Sequence, residues 1–212
     1  MSSLEGKTTA FDVIKYDAAK NIFVDDRKTV AVEKCYEVRL NGKFFRKVFC
    51  SPSDLEDLVT GIIAQEKISE PAQIFSEAKF VAKDILACAD KLLGELSTTH
   101  DKTNGVHSGI LFDGEKILLF REDIGRHNVF DKIYGAALRQ NIFLGDKALI
   151  FSGRCSSEMM IKLCRMKIPV VLAKSVPTTY SINLAKKFGI TLAGRLTADS
   201  FCIYTNPQRI VL

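Results

Sequence analysis

A dense group of polar and charged residues follows one apolar run of the sequence. Arg121-Glu-Asp-Ile-Gly-Arg-His-Asn128 comes directly after Ile117–Phe120 and leads into a segment with helical spacing of apolar residues. A strand needs only an alternation of apolar and polar residues, and a helix needs only an apolar stripe along one face. Neither requirement explains this density of charged residues around one glycine. Because turns on a rigid scaffold commonly carry function, the segment predicts a ligand site at a strand-to-helix turn.

Two further polar turns follow apolar runs in the same way. Ser152-Gly153-Arg154 comes after Ala148–Phe151, and Ser175–Thr178 comes after Val170–Ala173. Each turn precedes a predicted helix, whose first amide groups are unpaired and carry partial positive charge. Ordinary helix caps explain any one of these turns. Three such turns at one edge of a sheet favour an anion site, best suited to phosphate or pyrophosphate.

Several other chemistries are disfavoured by spacing. The chain has no G-x-G-x-x-G and no G-x-x-x-x-G-K-[ST], which disfavours the Rossmann and P-loop routes to phosphate binding. His127 and Asp131 share a predicted helix face, and a carboxylate that orients the histidine is favoured over a metal pair or an acid–base couple. His107 lies in a Gly-Val-His-Ser segment without the H-x-E and P-C-x-x-C of zinc deaminases. No structural metal is predicted.

Charge and composition limit the class of protein. The chain has 212 residues, of which 47% are hydrophobic and 26% charged, enough for one sizeable core. Residues 154–212 carry a net charge of +7 and residues 1–153 a net charge of −2, which suits an anionic ligand and equally suits a solvated surface. No run reaches the ~18–20 apolar residues of a membrane span, and no signal peptide is visible. A cytoplasmic protein without nucleic-acid or membrane partners is expected.

The six cysteines are not arranged as a metal or redox motif. No two form a C-x-x-C, the spacing of zinc knuckles and thioredoxin-like pairs. Most have apolar neighbours, including Cys50, Cys88 and Cys202, and are predicted to pack as small hydrophobes. Cys155 follows Gly-Arg at a predicted helix start, where a lowered thiol pKa is conceivable, although packing is the favoured role.

The order of predicted elements indicates an α/β protein. Residues 8–50 are β-rich with a hairpin at Asn41-Gly42, and a helix over Asp54–Lys67 is predicted to start with a capping box of Ser53 and Glu56. A second helix is predicted from about Ser76 to Leu96, and a loop over Ser97–Gly105. Strands and helices then alternate, which predicts a largely parallel sheet with helices on both faces.

Several motifs in order resemble those of the formate dehydrogenase accessory protein family, FdhD/NarQ. The resemblance rests on segments spread over most of the chain: Val30–Glu33, Asn41-Gly42, Pro52–Gly61, Gly105–His107, Arg121–Lys132, Ser152–Lys162, Ser175–Thr178, Gly189–Gly194, Tyr204 and Arg209-Ile210. It implies a cytidine-deaminase-like three-layer αβα core with a mixed, mostly parallel sheet at residues 76–212. A β-rich region with one helix would occupy residues 1–75.

The resemblance also implies a function. Family members are sulfurtransferase-like factors that pass sulfur from a cysteine desulfurase to the molybdenum cofactor, before it enters the formate dehydrogenase apoenzyme, and act as homodimers. The implied cofactor is molybdopterin guanine dinucleotide, with a guanine nucleotide as surrogate. Its pyrophosphate matches the ligand that the turns predict. The expected cofactor-binding residues are His107, Asp123, Gly125, Arg126, His127, Ser152, Gly153, Arg154, Ser175, Thr178, Gly194 and Arg195.

The chain departs from the family pattern at two places. The family's C-G-x-C-G loop, whose cysteine holds the persulfide, has no counterpart in Ile68–Asn104, where the one cysteine is Cys88. The family's Gly-Phe-x-Arg loop reads Gly194-Arg195-Leu-Thr here. Cys88 and Cys155 are therefore weak candidates for a sulfur-carrying thiol. The alternative hypotheses are a cofactor-binding chaperone that has lost sulfur transfer and, more distantly, a nucleotide-binding regulatory module.

Overall fold

A six-stranded sheet forms the centre of the computed structural model, which describes residues 6–212. Its order is β11-β10-β9-β8-β6-β7. The strands along the chain are β1 (Thr8–Asp17), β2 (Ile22–Ala31), β3 (Lys34–Leu40), β4 (Lys43–Cys50), β5 (Phe80–Val81), β6 (His107–Phe112), β7 (Ile117–Asp123), β8 (Ala148–Phe151), β9 (Val170–Ala173), β10 (Thr191–Gly194), β11 (Cys202–Thr205) and β12 (Ile210–Val211).

Helices cover both faces of this sheet. The helices along the chain are α1 (Leu55–Glu66), α2 (Ala82–Lys91), α3 (Thr98–Thr103), α4 (Arg126–Arg139), α5 (Ser157–Met166) and α6 (Thr179–Phe188), of which α1 packs on α4 and not on the sheet. Buried side chains of α4, α5 and α6 form one core with one face of the sheet. Side chains of α2 and the π-helical turn Leu92–Leu96 form a second core with the other face. The predicted three-layer αβα architecture with a mixed sheet is confirmed.

Within the six-stranded sheet, as the structure describes it over residues 6–212, parallel pairing is confined to β8, β9 and β10, which corrects the prediction of a mostly parallel sheet. β8 pairs with β9 and β9 with β10 in parallel, whereas the other three pairings are antiparallel. The cause is the β6–β7 hairpin, which places β6 antiparallel to both of its neighbours. As a result β7 runs in the same direction as β8, β9 and β10, and all four carboxyl ends lie at one edge.

The N-terminal strands form two separate ribbons. β1 and β2 pair antiparallel over ten residues each, and β3 and β4 form the predicted hairpin with Asn41 and Gly42 at positive φ. The second ribbon packs on α1 through a small core of its own, which includes Val38, Cys50 and Leu58. The domain boundary at residue 75 stays a prediction. Residues 1–5, used to predict that a signal peptide is absent, lie outside the described residues.

Three local predictions were wrong. Helix α1 has Asp54 as its N-cap, at φ 52° and without a side-chain cap bond, so the Ser53–Glu56 capping box is absent. The helix expected from Ser76 begins only at Ala82 and ends in the π-helical turn. The segment expected to be a loop contains α3. Among residues 6–212, no helix combines the length and apolar character of a membrane span.

Two glycines allow α1 and α4 to pack closely. A Cβ atom at Gly61 would overlap the backbone carbonyl of Asp131 in α4, and one at Gly135 would overlap the carbonyl of Asp57 in α1. Backbone cannot yield as a flexible side chain can, so these two positions set the separation of the helices. This contact fixes α4, whose first turn carries the predicted ligand residues.

We predict that Gly61→Ala and Gly135→Ala each lower the free energy of unfolding by about 3 kcal/mol or more, because the helices must separate. Urea denaturation followed by circular dichroism measures the effect. Gly94→Ala is the matched control, since nothing lies within 4 Å of a Cβ there, and we expect it to change stability by less than about 1 kcal/mol. Equal effects at Gly61 and Gly94 would contradict the proposed close contact.

Candidate functional site

The predicted polar turns meet at one edge of the sheet. The carboxyl ends of β7, β8 and β9 and the amino end of β6 surround an open depression of about 430 Å³. Ligands of α/β sheets bind at such an edge. The depression is lined by His107, Arg126, Ser152, Gly153, Arg154, Ser175 and Val176, of which all but Val176 were predicted from the sequence.

The floor of the depression is held by close packing between β6 and β8. Ser152 accepts a hydrogen bond at Oγ from the amide of Ser108, at 2.8 Å, and its own amide donates to the Ser108 carbonyl at 2.9 Å. A Cβ at Gly153 would lie 2.6 Å from the Phe151 ring and 3.2 Å from Nδ1 of His107. Glycine is therefore required for the turn to lie beside the histidine ring.

The electrostatics of the depression favour an anion. Among residues 6–212, Arg126 and Arg154 form no ion pair, so both guanidinium groups can bind a ligand. Burial lowers the pKa of His107, and the electrostatic effects of the neighbouring Arg126 and His100 side chains lower it further. His107 is therefore a neutral imidazole at neutral pH. The serine hydroxyls add neutral donors, a set that suits phosphate oxygens.

Asp123 lies inside the protein and does not line the depression. Its carboxylate is fully buried and accepts from Lys132 Nζ at 2.7 Å, from the Ser51 amide at 3.1 Å, from the Gly125 amide at 2.8 Å and from Asn128 Nδ2 at 2.9 Å. Four donors leave no accessible oxygen for a ligand. Asp123 and Gly125 thus shape the turn that presents Arg126, and direct cofactor contact by Asp123 is not supported by this placement.

His127 has a different partner from the one predicted. Its Nε2 lies 3.2 Å from Glu158 in α5, whereas Asp131 pairs with Lys162. Burial lowers the pKa of His127 and Lys162 lowers it further, while Glu158 opposes both effects. The predicted orientation of His127 by Asp131 was wrong, because Lys162 of α5 binds Asp131 and Glu158 of the same helix lies beside the ring. His127 does not line the depression.

Three further predicted residues position the neighbouring loops. Thr178 caps α6 through a capping box with Ser181, with a side-chain acceptor distance of 3.3 Å. A Cβ at Gly194 would lie 2.8 Å from the carbonyl oxygen of Ser175, and the Arg195 amide donates to that oxygen at 3.4 Å. Thr178, Gly194 and Arg195 do not line the depression. They hold the loop in which Ser175 lies.

A second cavity adjoins the depression and was not predicted. It has a volume of about 250 Å³ and shares His107 and Ser152 with the depression. Its other walls come from the π-helical turn, α3 and the start of β6, in the interval where the sequence predicted only a helix and a polar loop. The missed residues include Leu92, Leu93, His100, Asn104 and Lys174. The polar segment His100–Asn104 before Gly105 was the available signal.

A family model described as the FdhD/NarQ family matches residues 65–211. The chain belongs to this family. A sulfur carrier protein FdhD of Geobacillus kaustophilus is 31% identical over 90% of this chain and 93% of that protein. The sulfur carrier protein FdhD of Bacillus subtilis is 31% identical over 98% of this chain and 99% of that protein. The latter alignment has 262 positions against 212 residues here, so that FdhD protein has positions that this chain lacks.

A solved structure supports the fold. A protein from Desulfotalea psychrophila, assigned as a formate dehydrogenase accessory protein, superposes with a TM-score of 0.87 at 22% identity. The match covers 96% of this chain and 99% of that chain. At this identity the comparison shows the shared α/β fold of this FdhD/NarQ member.

The two candidate thiols are buried in this FdhD/NarQ chain. Cys88 of α2 packs in the core between that helix and the sheet, and burial raises its pKa. Burial raises the pKa of Cys155 to about 12, so both stay protonated at neutral pH and neither is an accessible thiolate. The prediction that Cys202 packs as a buried hydrophobe was wrong: Cys202 and Cys35 are exposed. Cys202 lies on β11, an edge strand with one unpaired side.

Proposed function

We propose that this FdhD/NarQ chain binds the molybdopterin guanine dinucleotide cofactor of formate dehydrogenase through its pyrophosphate. The observation that carries the proposal is the pair of guanidinium groups of Arg126 and Arg154, which form no ion pair with any other residue of 6–212, beside a neutral His107 at the carboxyl ends of the strands. The relatives are named sulfur carrier protein FdhD, and the protein with the matching solved structure is named a formate dehydrogenase accessory protein, which supports a role in the maturation of formate dehydrogenase. The donor set fits a pyrophosphate, because guanidinium groups bind phosphate oxygens in pairs.

The residues of the depression would contribute to phosphate binding through both their charge and their position. Arg126 lies in the first turn of α4, where the amide groups also favour negative charge. Arg154 and the Ser175 hydroxyl approach from the turns after β8 and β9. The neutral imidazole of His107 adds a hydrogen-bonding group without a charge. A bound cofactor supplies the metal chemistry of the client enzyme, while these side chains hold its phosphates.

We predict that Arg126→Ala and Arg154→Ala each weaken binding of GDP, used as a surrogate, by about 10- to 100-fold, the loss expected for charged hydrogen bonds. Isothermal titration calorimetry measures the dissociation constants. The control is Arg39→Ala, which removes an exposed arginine of the β3–β4 ribbon. The proposal fails if wild-type protein binds neither GDP nor pyrophosphate, or if all three variants bind equally well.

Binding of the cofactor without transfer of sulfur is the second candidate function. It is favoured by the burial of Cys88 and Cys155 and by the lack of a cysteine pair in Ile68–Asn104. Sulfur transfer requires the thiolate of this chain to attack the persulfide of a cysteine desulfurase and release the desulfurase thiolate. Cys35 and Cys202 are the exposed thiols that would be able to do so.

The two candidate functions predict different masses for the protein after incubation with a cysteine desulfurase and cysteine. From the burial of the thiols we expect no reducible sulfur on Cys88 or Cys155, by intact mass and peptide mapping. A stable gain of one sulfur on Cys202 or Cys35, lost in the matching Cys→Ser variant, would establish a carrier with a relocated thiol. No gain anywhere, with GDP binding retained, would establish the binding-only function.

We propose that the chain forms a homodimer through the β1–β2 ribbon. An isolated two-stranded ribbon is at best marginally stable in water, yet this one exposes Phe11, Ile14, Tyr16 and Phe23, the last at 75%. Residues 8–31 carry four basic and four acidic side chains. A surface with balanced charges of both signs complements a second copy of itself better than a strongly charged partner.

We predict that the double variant Ile14→Ser/Phe23→Ser shifts the protein from dimer to monomer, because it removes apolar surface that only a partner buries. Size-exclusion chromatography with light scattering at micromolar concentration gives the mass. Phe75→Ser, at another highly exposed phenylalanine, is the control and should remain dimeric. A monomeric wild-type protein would overturn the proposal.

A further inference from the structure

An apolar groove lies at the edge of the sheet opposite the depression. It has a volume of about 530 Å³ and is lined by the end of α4, the loop before β8 and the end of α5, together with the segment after α1. Because β8 and β9 begin directly after these parts of α4 and α5, the groove lies at the amino ends of the strands whose carboxyl ends surround the depression. The groove and the depression can therefore be occupied at the same time.

The groove exposes apolar side chains that the fold itself does not bury. Phe143 and Leu138 line it and are 72% and 43% exposed. Ile68 and Ile142 add partly buried apolar surface to the same groove. Single exposed apolar residues are ordinary on a protein surface, whereas a contiguous group in a concave site marks an interaction surface. A side chain from another molecule can bury itself here.

The charges around the groove favour an acidic occupant. Arg165 and Lys167 line the groove at the end of α5, and Lys67 directly precedes the groove residue Ile68. Among residues 6–212, none of these three basic side chains forms an ion pair, and Glu70 is the acidic residue of the lining. The helix dipole explains why cations stand at the end of a helix. It leaves their charges without a partner beside an apolar floor.

A second copy of the same face is disfavoured as the occupant. Two such grooves facing each other across a two-fold axis would bring the Arg165 and Lys167 side chains of both copies together, and like charges across an interface repel. A segment with carboxylates around an apolar side chain matches both features. The carboxylates pair with the basic rim, and the apolar side chain fills the floor as an anchor.

We propose that this groove binds an acidic peptide segment of a partner protein, with one aromatic or branched apolar side chain against Phe143 and Leu138 and carboxylates on Arg165 and Lys167. The proposal is independent of the phosphate site, because the two sites lie at opposite edges of the sheet. Part of the net charge of +7 in residues 154–212 thus lies away from the depression and serves a protein partner.

Selection from a phage-displayed library of random peptides tests the proposal on the full chain. Peptides of about twelve residues, roughly 18 Å long as a helix, are selected on the wild-type protein. We expect the enriched sequences to combine Asp or Glu with a Phe, Leu or Trp anchor. Fluorescence anisotropy of a labelled synthetic peptide of enriched sequence then gives the dissociation constant. Phe143→Ser should raise it at least about 10-fold, the effect of losing an anchor contact.

A charge variant and a matched control separate the two parts of the contact. Arg165→Gln/Lys167→Gln should raise the dissociation constant roughly 3- to 10-fold at low salt and much less at high salt, where the wild-type rim is screened. Phe44→Ser removes a phenylalanine that is 57% exposed in the β3–β4 ribbon and should bind the peptide as the wild type does. GDP should bind equally to Phe143→Ser and the wild type, so a failure of the groove and a failure of the phosphate site are separate results.

Four results would overturn the proposal. The first is a selection that enriches no sequence or enriches basic sequences. The second is a set of enriched peptides that bind Phe143→Ser as well as they bind the wild type. Conversion of a wild-type dimer into a monomer by Phe143→Ser would assign the groove to a second copy. A single-stranded oligonucleotide that binds the wild type and not Phe143→Ser would assign it to nucleic acid.

Discussion

The buried ion pair between Asp123 and Lys132 is the interaction on which the site depends. Both side chains are fully buried, and the Lys132 ammonium also donates to the carbonyl of Glu122 at 3.1 Å. Loss of one partner from such a pair costs about 3–5 kcal/mol, since a charge is left uncompensated in the interior. The pair ties the end of β7 to α4, and the Ser51 amide ties β4 to the same carboxylate. Contacts from β4, β7 and α4 therefore fix the turn that presents Arg126.

Glu122 extends this network toward the cavity. Its carboxylate accepts from Lys7 at 3.2 Å, from Ser97 at 3.3 Å and from Thr99 at 2.6 Å. The first contact anchors the base of the β1–β2 ribbon and the other two anchor the start of α3. Adjacent carboxylates on one strand therefore position the phosphate depression, the cavity wall and the proposed dimer contact. The end of one strand can position features on both sides of the sheet, because residues 122 and 123 point to opposite faces.

The sequence predicted features that depend on local pattern and missed those that depend on packing. The alternation of strands and helices and the polar turns at Arg126, Ser152 and Ser175 were predictable, since turn residues carry their own chemistry. The burial of Asp123 was not predictable, because a carboxylate that binds a ligand and one that pairs with a buried lysine cannot be distinguished in the sequence. The exposure of Cys202 follows from the edge position of β11, which depends on the order of strands.

The position of α3 bears on the balance between binding and sulfur chemistry. A persulfide carrier needs an accessible thiolate. Here the interval Ile68–Asn104 is ordered into the π-helical turn and α3, is held by Glu122, and forms the wall of an enclosed cavity. The one cysteine of this interval, Cys88, is buried in α2. Under the proposed function, the packing of this interval therefore favours binding over sulfur transfer.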